Sequence, residues 1–298
     1  MAKKVSCSHE KTPVSLEKTD LISTKDLITV TVADRKIANQ EALKVLIYSI
    51  DRHSPNILKN FYFLYPSGEL EVDFVRAIRT LGVQPIAFDL DRQRDPYKTK
   101  FLLCSFLKEW QGPKNYCLYL DPDHVALRKL MLMCPDKGIF VSSETKTLAD
   151  INTPPHLIAK IGGTHFNTSI ILGHIDTLKE VILKWEESYK YLADIIPTRF
   201  LEEIAFSLAA KQANVPTIPI ASILQSNFAC IDEECSLFHY GGDSSVAINT
   251  KEILNSKKDI KGKLMRLKQS TSTHPEKWFP NAIVNSLPPE KEGTFTGT

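Results

Sequence analysis

At the centre of the chain stands Tyr116-Cys-Leu-Tyr-Leu-Asp121-Pro-Asp123-His-Val125, an apolar strand that runs directly into two carboxylates. In an extended chain the side chains at i and i+2 point to the same side, so Asp121 and Asp123 are expected to converge on one point. Oxygen ligands of this kind suit Mg²⁺ or Mn²⁺, which keep positions open for the phosphate oxygens of a substrate. The segment therefore predicts a metal and diphosphate site, although paired carboxylates also form turns and helix caps.

Strand and helix patterns alternate around this segment. Short β-branched or aromatic runs predict strands at 27–33, 61–65, 85–88 and 116–120, and apolar residues at helical spacing predict helices at 42–50, 70–81, 101–110 and 178–192. A capping box, Thr177-x-x-Glu180, is expected to open the last of these helices. Such alternation predicts an α/β fold with a mostly parallel sheet between helices and a site at the carboxyl ends of the strands. Asp34 and Asp121 both follow such strand ends.

Composition narrows the class of protein. The 298 residues are 43% hydrophobic and 24% charged, which is typical of a soluble globular enzyme. The 37 basic residues nearly match the 35 acidic ones, so a dedicated nucleic-acid binder is not expected. Six cysteines without a secreted-domain pattern, and the lack of a signal peptide or a membrane-length apolar segment, predict a cytoplasmic protein.

One folded domain is predicted between two polar ends. Residues 1–25 and 281–298 are polar and aperiodic and are expected to be flexible, which leaves 26–280 as the domain. A basic run at 257–268 is consistent with contact to an acidic membrane surface or acceptor, and equally with a solvated helix face. The oligomeric state does not follow from the sequence.

Four segments stand in order along the chain: Ala33-Asp34-Arg35 after the first strand, Tyr119-Leu-Asp-Pro-Asp123, Phe166-Asn-Thr-Ser-Ile-Ile-Leu172, and Phe238-His-Tyr-Gly-Gly242. Together they resemble a known family, the nucleotide-diphospho-sugar glycosyltransferases with the GT-A fold, of the family 8 type that includes glycogenin and bacterial lipopolysaccharide sugar transferases. These segments resemble the nucleotide-binding start, the Asp-x-Asp motif, the donor-sugar segment and the late His-x-x-Gly loop of that family. The order and spacing span about residues 27 to 243, which is more specific than any single motif.

The resemblance implies a metal-bound nucleotide at this site. Asp121, Asp123 and His239 would hold Mn²⁺ or Mg²⁺, and Asp121 would also approach the ribose. The opening segment, Ala33 to Arg35, would contact the nucleotide. Arg35, Lys98 and Lys100 are candidates for nucleotide or phosphate oxygens, because a cation near the leaving diphosphate stabilises its charge.

The resemblance further implies how the sugar is bound and moved. Asn167 would bind a sugar hydroxyl, and Glu202 or Glu203 would lie near the reacting carbon or the acceptor. The donor is expected to be a UDP-sugar, the reaction to retain the anomeric configuration, and the acceptor to be a glycan, a lipid-linked sugar or a protein. Two departures stand out: Thr168-Ser169 replaces a Ser-Gly pair, and Glu202-Glu203 replaces an Asp-Gln pair.

Two other classes of protein stay open. Asp89-Leu-Asp91 and Asp121-Pro-Asp123 also resemble the Asp-x-Asp of haloacid-dehalogenase-type phosphatases, in which the first Asp attacks phosphate, although neither pair is followed by the expected Gly-Thr. A non-catalytic scaffold of glycosyltransferase type is the second alternative. Individual residues have structural readings too: Asp34 suits a helix cap, and His239 between two aromatic residues suits a core histidine.

Overall fold

The structure is a computed structural model that describes residues 19–89, 96–135, 137–142, 145–147, 153–162, 164–196, 198, 200–221, 224–227 and 235–239. The predictions made for the Lys98 side chain, for Asp91, for residues 240–242, for the basic run, for residues 1–18 of the first end and for the second end of the chain fall outside this description.

Strands and helices alternate through the first half of the chain, as the periodicity predicts. The strands of the described residues are β1 (Thr19–Leu21), β2 (Leu27–Val32), β3 (Phe61–Pro66), β4 (Gln84–Phe88), β5 (Tyr116–Leu120), β6 (His124–Ala126), β7 (Met133–Pro135), β8 (Ile139–Val141), β9 (Thr145–Thr147), β10 (Thr164–Phe166), β11 (Ile170–His174), β12 (Thr217–Pro219), β13 (Gln225–Asn227) and β14 (Leu237–His239). The helices are α1 (Ile37–His53), α2 (Val72–Thr80), α3 (Leu102–Glu109), α4 (Pro155–Ile161), α5 (Ile175–Ala193) and α6 (Leu201–Gln212), and short 3₁₀ turns cover Thr24–Asp26, Pro55–Asn60 and Pro96–Phe101.

A seven-stranded sheet in the order β12-β8-β11-β5-β2-β3-β4 forms the centre of the molecule. Four of its pairings are parallel, and β11 alone runs antiparallel to both of its neighbours. The predicted α/β class with a mostly parallel sheet is therefore confirmed. Parallel strands of this kind are buried on both faces, which is why β5 is an unbroken apolar run and every residue of β2, including Thr29 and Thr31, is buried.

The two faces of the sheet carry separate apolar cores. Along β5, Cys117 and Tyr119 face the core shared with α3, α4, α5 and α6, whereas Leu118 and Leu120 face the core shared with α1 and α2. The fully buried ring of Trp185 on α5 packs edge-on against aromatic rings from the last 3₁₀ turn and from α6. Helices thus cover both faces of the sheet, as expected when strands and helices alternate. Of the helices described here, none combines the length and apolar character that crossing a bilayer requires.

Two boundaries differ from the sequence predictions. Helix α5 begins at Ile175, and the His174 side chain accepts a hydrogen bond from Asp176 N, so the predicted capping box at Thr177 is wrong. Thr177 lies inside the first turn because β11 passes directly into the helix. The folded part also begins earlier than residue 26: β1 pairs antiparallel with β7, and Ile22 is buried.

Two antiparallel pairings determine which residues meet at the carboxyl end of β5. Because β11 is antiparallel to β5 with Ile170 opposite Leu120, the residues after β5 lie beside those before β11. In a separate small sheet β14 pairs with β6, and His239 lies opposite His124. Both pairings lead to the Asp-Pro-Asp segment from distant parts of the chain.

Gly138 offers a test of the sheet edge on which β8 and β12 pair. Its φ is +117°, and an added Cβ would lie 2.8 Å from Pro216 O, the carbonyl that accepts from Ile139 N. We expect Gly138→Ala to lower the free energy of unfolding by about 3 kcal/mol, from backbone strain plus a steric clash. Urea unfolding measures this change.

The matched control for this prediction is Gly68→Ala in the turn after β3. Gly68 also has a positive φ, +73°, but nothing lies within 4 Å of its added Cβ. Only the conformational cost of about 1 kcal/mol is expected there. Equal losses in the two variants would contradict the close approach of Gly138 to Pro216.

Candidate active site

The Asp-Pro-Asp segment forms a turn between β5 and β6, so the extended conformation that the sequence predicts for it is wrong. Asp121 and Asp123 contact different partners in this turn, and their predicted convergence on one metal ion stays a prediction. Proline favours a turn, and β6 begins directly after Asp123, which leaves no room for the strand to continue. Asp121 N donates to Ser169 O at 2.7 Å, and this bond holds the turn against the segment before β11.

Asp121 has both carboxylate oxygens engaged on the side of the turn facing α6. Lys100 Nζ donates to Oδ2 at 3.1 Å, and the Tyr119 hydroxyl donates to Oδ1 in a short hydrogen bond. Burial raises the pKa of the Asp121 carboxyl, and the Lys100 ammonium opposes this rise. Asp121 is 21% exposed in its side chain, so the carboxylate still borders solvent at the edge of the sheet.

Lys100 connects Asp121 to the first turn of α6. Besides Asp121 its ammonium donates to Glu202 Oε2 at 3.3 Å and to Thr168 Oγ1 at 3.0 Å. Burial lowers the pKa of Lys100, but Asp121 and Glu202 more than offset this and hold it above its ordinary value. Lys100 is therefore charged, and in this structure it binds carboxylates. Its predicted contact with phosphate oxygens stays a prediction.

Asp123 contacts two histidines. His239 Nε2 lies 3.3 Å from Asp123 Oδ2, and the ring of His239 stacks on that of His124 with centroids 4.7 Å apart. The stack is a cross-strand pair, because β14 and β6 place these residues opposite each other. The prediction that the late histidine reaches the Asp-x-Asp segment thus agrees with the structure.

The charge states of this group follow from its burial and its partners. Burial raises the pKa of Asp123, but the adjacent His239 and His124 outweigh it and lower the pKa to about 2. Burial and the neighbouring His239 lower the pKa of His124 to about 3, so His124 is neutral near pH 7. Its Nδ1 lies 3.0 Å from Asp121 O, and since a carbonyl only accepts, Nδ1 is the protonated nitrogen.

A metal ion has two suitable ligands here. Asp123 Oδ1 is buried and has no hydrogen-bond partner among the described residues. An oxygen in this state is available to bind a cation. His239 supplies an imidazole beside it. The described residues contain no group of three or more such side chains arranged around one point, because Asp121 turns to Lys100 and Tyr119. Carboxylate, imidazole and substrate phosphate oxygens form a donor set that fits Mn²⁺ or Mg²⁺.

Asn167 and Glu203 lie together on the α6 side of the site. Asn167 Nδ2 donates to Glu203 Oε1 at 3.2 Å, and Asn167 Oδ1 accepts from Ser169 N at 2.8 Å. The second Glu203 oxygen lies 2.7 Å from His165 Nε2. The structure therefore brings the two predicted sugar-facing residues into direct contact.

The opening segment Ala33 to Arg35 follows β2, which lies next to β5 in the sheet. Ala33 is buried, and Asp34 Oδ1 accepts from Lys36 N at 3.0 Å and from Asn39 Nδ2 at 2.8 Å. Asp34 thus forms a turn before α1, and Lys36 rather than Asp34 is the N-cap of that helix. Arg35 is exposed. The nucleotide contacts predicted for these residues stay predictions.

Sequence reasoning assigned no role to four residues of the site. They are Tyr119, His124, His165 and Thr168, which bond to or stack on the predicted residues. Each is adjacent in sequence to a predicted motif, and that adjacency is the only signal that could have identified them. The sequence shows no partner for any of them, because every partner except Asp121 is more than 30 residues away.

Known proteins resemble this chain in structure. No protein-family model and no curated protein sequence matches it. Among solved structures, the galactosyltransferase LgtC in complex with donor and acceptor sugar analogs is 14% identical, with a TM-score of 0.54 over 84% of this chain and 98% of that chain. An active-site mutant of LgtC is 15% identical, with a TM-score of 0.51 over the same shares. The chain thus has the GT-A fold of such transferases.

Glu202 predicts how stability depends on pH. Burial raises its pKa from 4.5 to about 7; Lys100 opposes this rise and Glu203 adds to it. The folded state therefore binds this proton more tightly than the unfolded state, so stability falls as pH rises from about 4.5 to about 7, by about 3 kcal/mol. We expect Glu202→Gln, which cannot ionise, to lack this part of the decline.

Urea unfolding of wild type and variant at intervals between pH 4.5 and 7.5 measures the effect. The exposed residue Glu187 on α5 provides the control, and the stability of Glu187→Gln is expected to run parallel to that of wild type. A Glu202→Gln curve that also runs parallel to wild type would show that Glu202 does not titrate in this range.

Proposed function

We propose that this protein is a metal-dependent glycosyltransferase that moves a sugar from a nucleotide-diphosphate donor, a UDP-sugar, to a hydroxyl acceptor. One observation carries the proposal. Asp121 N bonds to Ser169 O close to the Asn167–Glu203 pair, and Asp123 of the same turn contacts His239, in a chain that has the fold of the galactosyltransferase LgtC. This turn lies at the carboxyl ends of the parallel strands, where open α/β sheets bind their ligands.

Asp123 and His239 would hold Mn²⁺ or Mg²⁺, with Asp121 as the third predicted ligand. The unpartnered oxygen of Asp123 and the imidazole 3.3 Å from its other oxygen support this assignment. When bound, the ion acts as a Lewis acid that stabilises the charge on the diphosphate. Because its pKa is lowered to about 2, Asp123 is an anion at any pH where the protein would work.

The side chains on the α6 side would act on the sugar. In the transfer, the bond between the anomeric carbon and the diphosphate oxygen breaks and the electron pair leaves with that oxygen. The acceptor oxygen forms the new bond, and its proton passes to the departing diphosphate. Glu203 would face the positive charge that develops on the sugar, and Asn167 would bind a hydroxyl with its remaining N–H. Lys100 holds Asp121 in place and adds a positive charge near the diphosphate.

The proposed acceptor is a sugar hydroxyl. The LgtC structure contains an acceptor sugar analog, which favours a sugar hydroxyl, free or on a glycan or lipid, over a protein side chain. We also propose a cytoplasmic location, from the pattern of the cysteines in the sequence, and retention of the anomeric configuration, from the family resemblance.

Nucleotide binding tests the proposal without knowledge of the acceptor. We expect UDP or a UDP-sugar at about one hundred times its Kd, with Mn²⁺, to stabilise the protein by about 2.7 kcal/mol, seen as a rise in Tm. Asp123→Asn is expected to lose this Mn²⁺-dependent rise. Asp176→Asn, whose carboxylate is 81% exposed at the other end of β11, is the control and should keep it. Each shift is measured from the variant's own Tm in the absence of nucleotide.

Other results of the thermal-shift experiment, together with a separate phosphate-release assay, distinguish the alternatives. No shift with any nucleotide diphosphate would contradict the transferase. Release of inorganic phosphate from a generic phosphoester would favour the phosphatase. Nucleotide binding that is unchanged in Asp123→Asn, without hydrolysis or transfer of any sugar, would indicate a scaffold.

A further inference from the structure

The Glu203 carboxylate is held at both oxygens by donors from the segment that contains β10. His165 Nε2 lies 2.7 Å from Oε2, and Asn167 Nδ2 lies 3.2 Å from Oε1. A carboxylate accepts from both, so the ring donates through Nε2. The side chain of His165 is 2% exposed and that of Glu203 is 16% exposed. The histidine is therefore buried behind the carboxylate, which itself borders the open edge of the sheet.

Both donors are anchored in their turn. The ring of His165 packs edge-on against Phe200 with centroids 5.7 Å apart, and Asn167 Oδ1 accepts from Ser169 N. Ser207, one helical turn after Glu203 on α6, donates to Glu203 O and accepts from Phe166 N at 3.3 Å. Strand β10 and the first turn of α6 are thus fixed to each other on both sides of the carboxylate. A shift of Glu203 would have to break contacts on both elements.

Packing alone does not account for a histidine at position 165. An aromatic ring without nitrogens would fill the same space beside Phe200. A buried imidazole 2.7 Å from a carboxylate instead forms one of the shortest polar contacts at the site. Charge-assisted hydrogen bonds of this length are about twice as strong as neutral ones, and they restrict orientation.

We propose that His165 is a positioning residue that, together with Asn167, fixes the Glu203 carboxylate in the orientation that the sugar transfer requires. The inference rests on the proposed function, in which Glu203 opposes the positive charge that develops at the anomeric carbon. Such electrostatic stabilisation depends on groups that are oriented before the reaction begins. A displacement of about 1 Å can cost about a hundredfold in rate.

Two substitutions at position 165 separate positioning from packing. His165→Phe keeps a ring of similar size against Phe200 and removes the N–H donor. His165→Gln keeps a donor at about the reach of Nε2. With the UDP-sugar that gives the largest thermal shift, we expect His165→Phe to lower the kcat for UDP release about 10- to 100-fold, with KM changed less than about threefold. We expect His165→Gln to recover most of that loss.

The same measurement in a Glu203→Gln background shows whether His165 acts through Glu203. If it does, adding His165→Phe to Glu203→Gln changes kcat less than about threefold, because residues that act as a unit are not additive. An undiminished further loss would overturn the proposal. So would a His165→Gln variant as slow as His165→Phe, or a His165→Phe variant in which only KM changes.

A readout that needs no activity keeps this inference separate from the proposed function. The ¹⁵N signals of the His165 ring are expected to move in Glu203→Gln and to stay unchanged in Glu187→Gln, whose residue is exposed on α5. Unmoved ring signals in Glu203→Gln would overturn the contact itself, even in an active transferase. A wild type that binds no nucleotide would instead contradict the proposed function, whatever the ring signals show, and with it the positioning role.

Discussion

The antiparallel pairing of β5 with β11 is the constraint on which the site depends. Leu120 lies opposite Ile170, and the hydrogen bond from Asp121 N to Ser169 O continues the pairing one residue beyond the strands. An antiparallel register places the end of one strand beside the beginning of the other. The turn with Asp121 and Asp123 therefore lies against the segment 167–169, in which Asn167 contacts Glu203. A slip of one residue in the register would separate the turn from this segment.

Four acidic side chains are largely buried around this pairing, and a buried charge is stable only when it is paired. Asp121, Asp123, Glu202 and Glu203 all have side chains at most 21% exposed. Lys100 binds Asp121 and Glu202. His239 contacts Asp123, and His165 contacts Glu203. Breaking one buried pair by removal of a single partner is expected to cost about 3–5 kcal/mol. A site this costly to assemble is typical of a functional site rather than of a scaffold.

Much of the fold and part of the site could be predicted from the sequence, for a physical reason. Buried strands such as Leu27–Val32 and Tyr116–Leu120 are defined by their own apolar residues, so local pattern suffices. The link between Lys100 and Glu202, and the stack of His124 on His239, join residues more than 100 positions apart. Strand register and helix packing create such contacts, and no local pattern encodes them. The capping box at Thr177 failed for the same reason, since β11 imposes the start of α5.

The central claim is that the Asp-Pro-Asp turn and the late histidine form one metal and diphosphate site. Anomalous diffraction from crystals soaked with Mn²⁺ and UDP tests it most directly, because manganese is located independently of the protein atoms. We expect one manganese peak in contact with Asp123 and His239, with the UDP diphosphate bound to the same ion. A diphosphate bound elsewhere, or bound at this turn without manganese, would show that these residues do not form such a site.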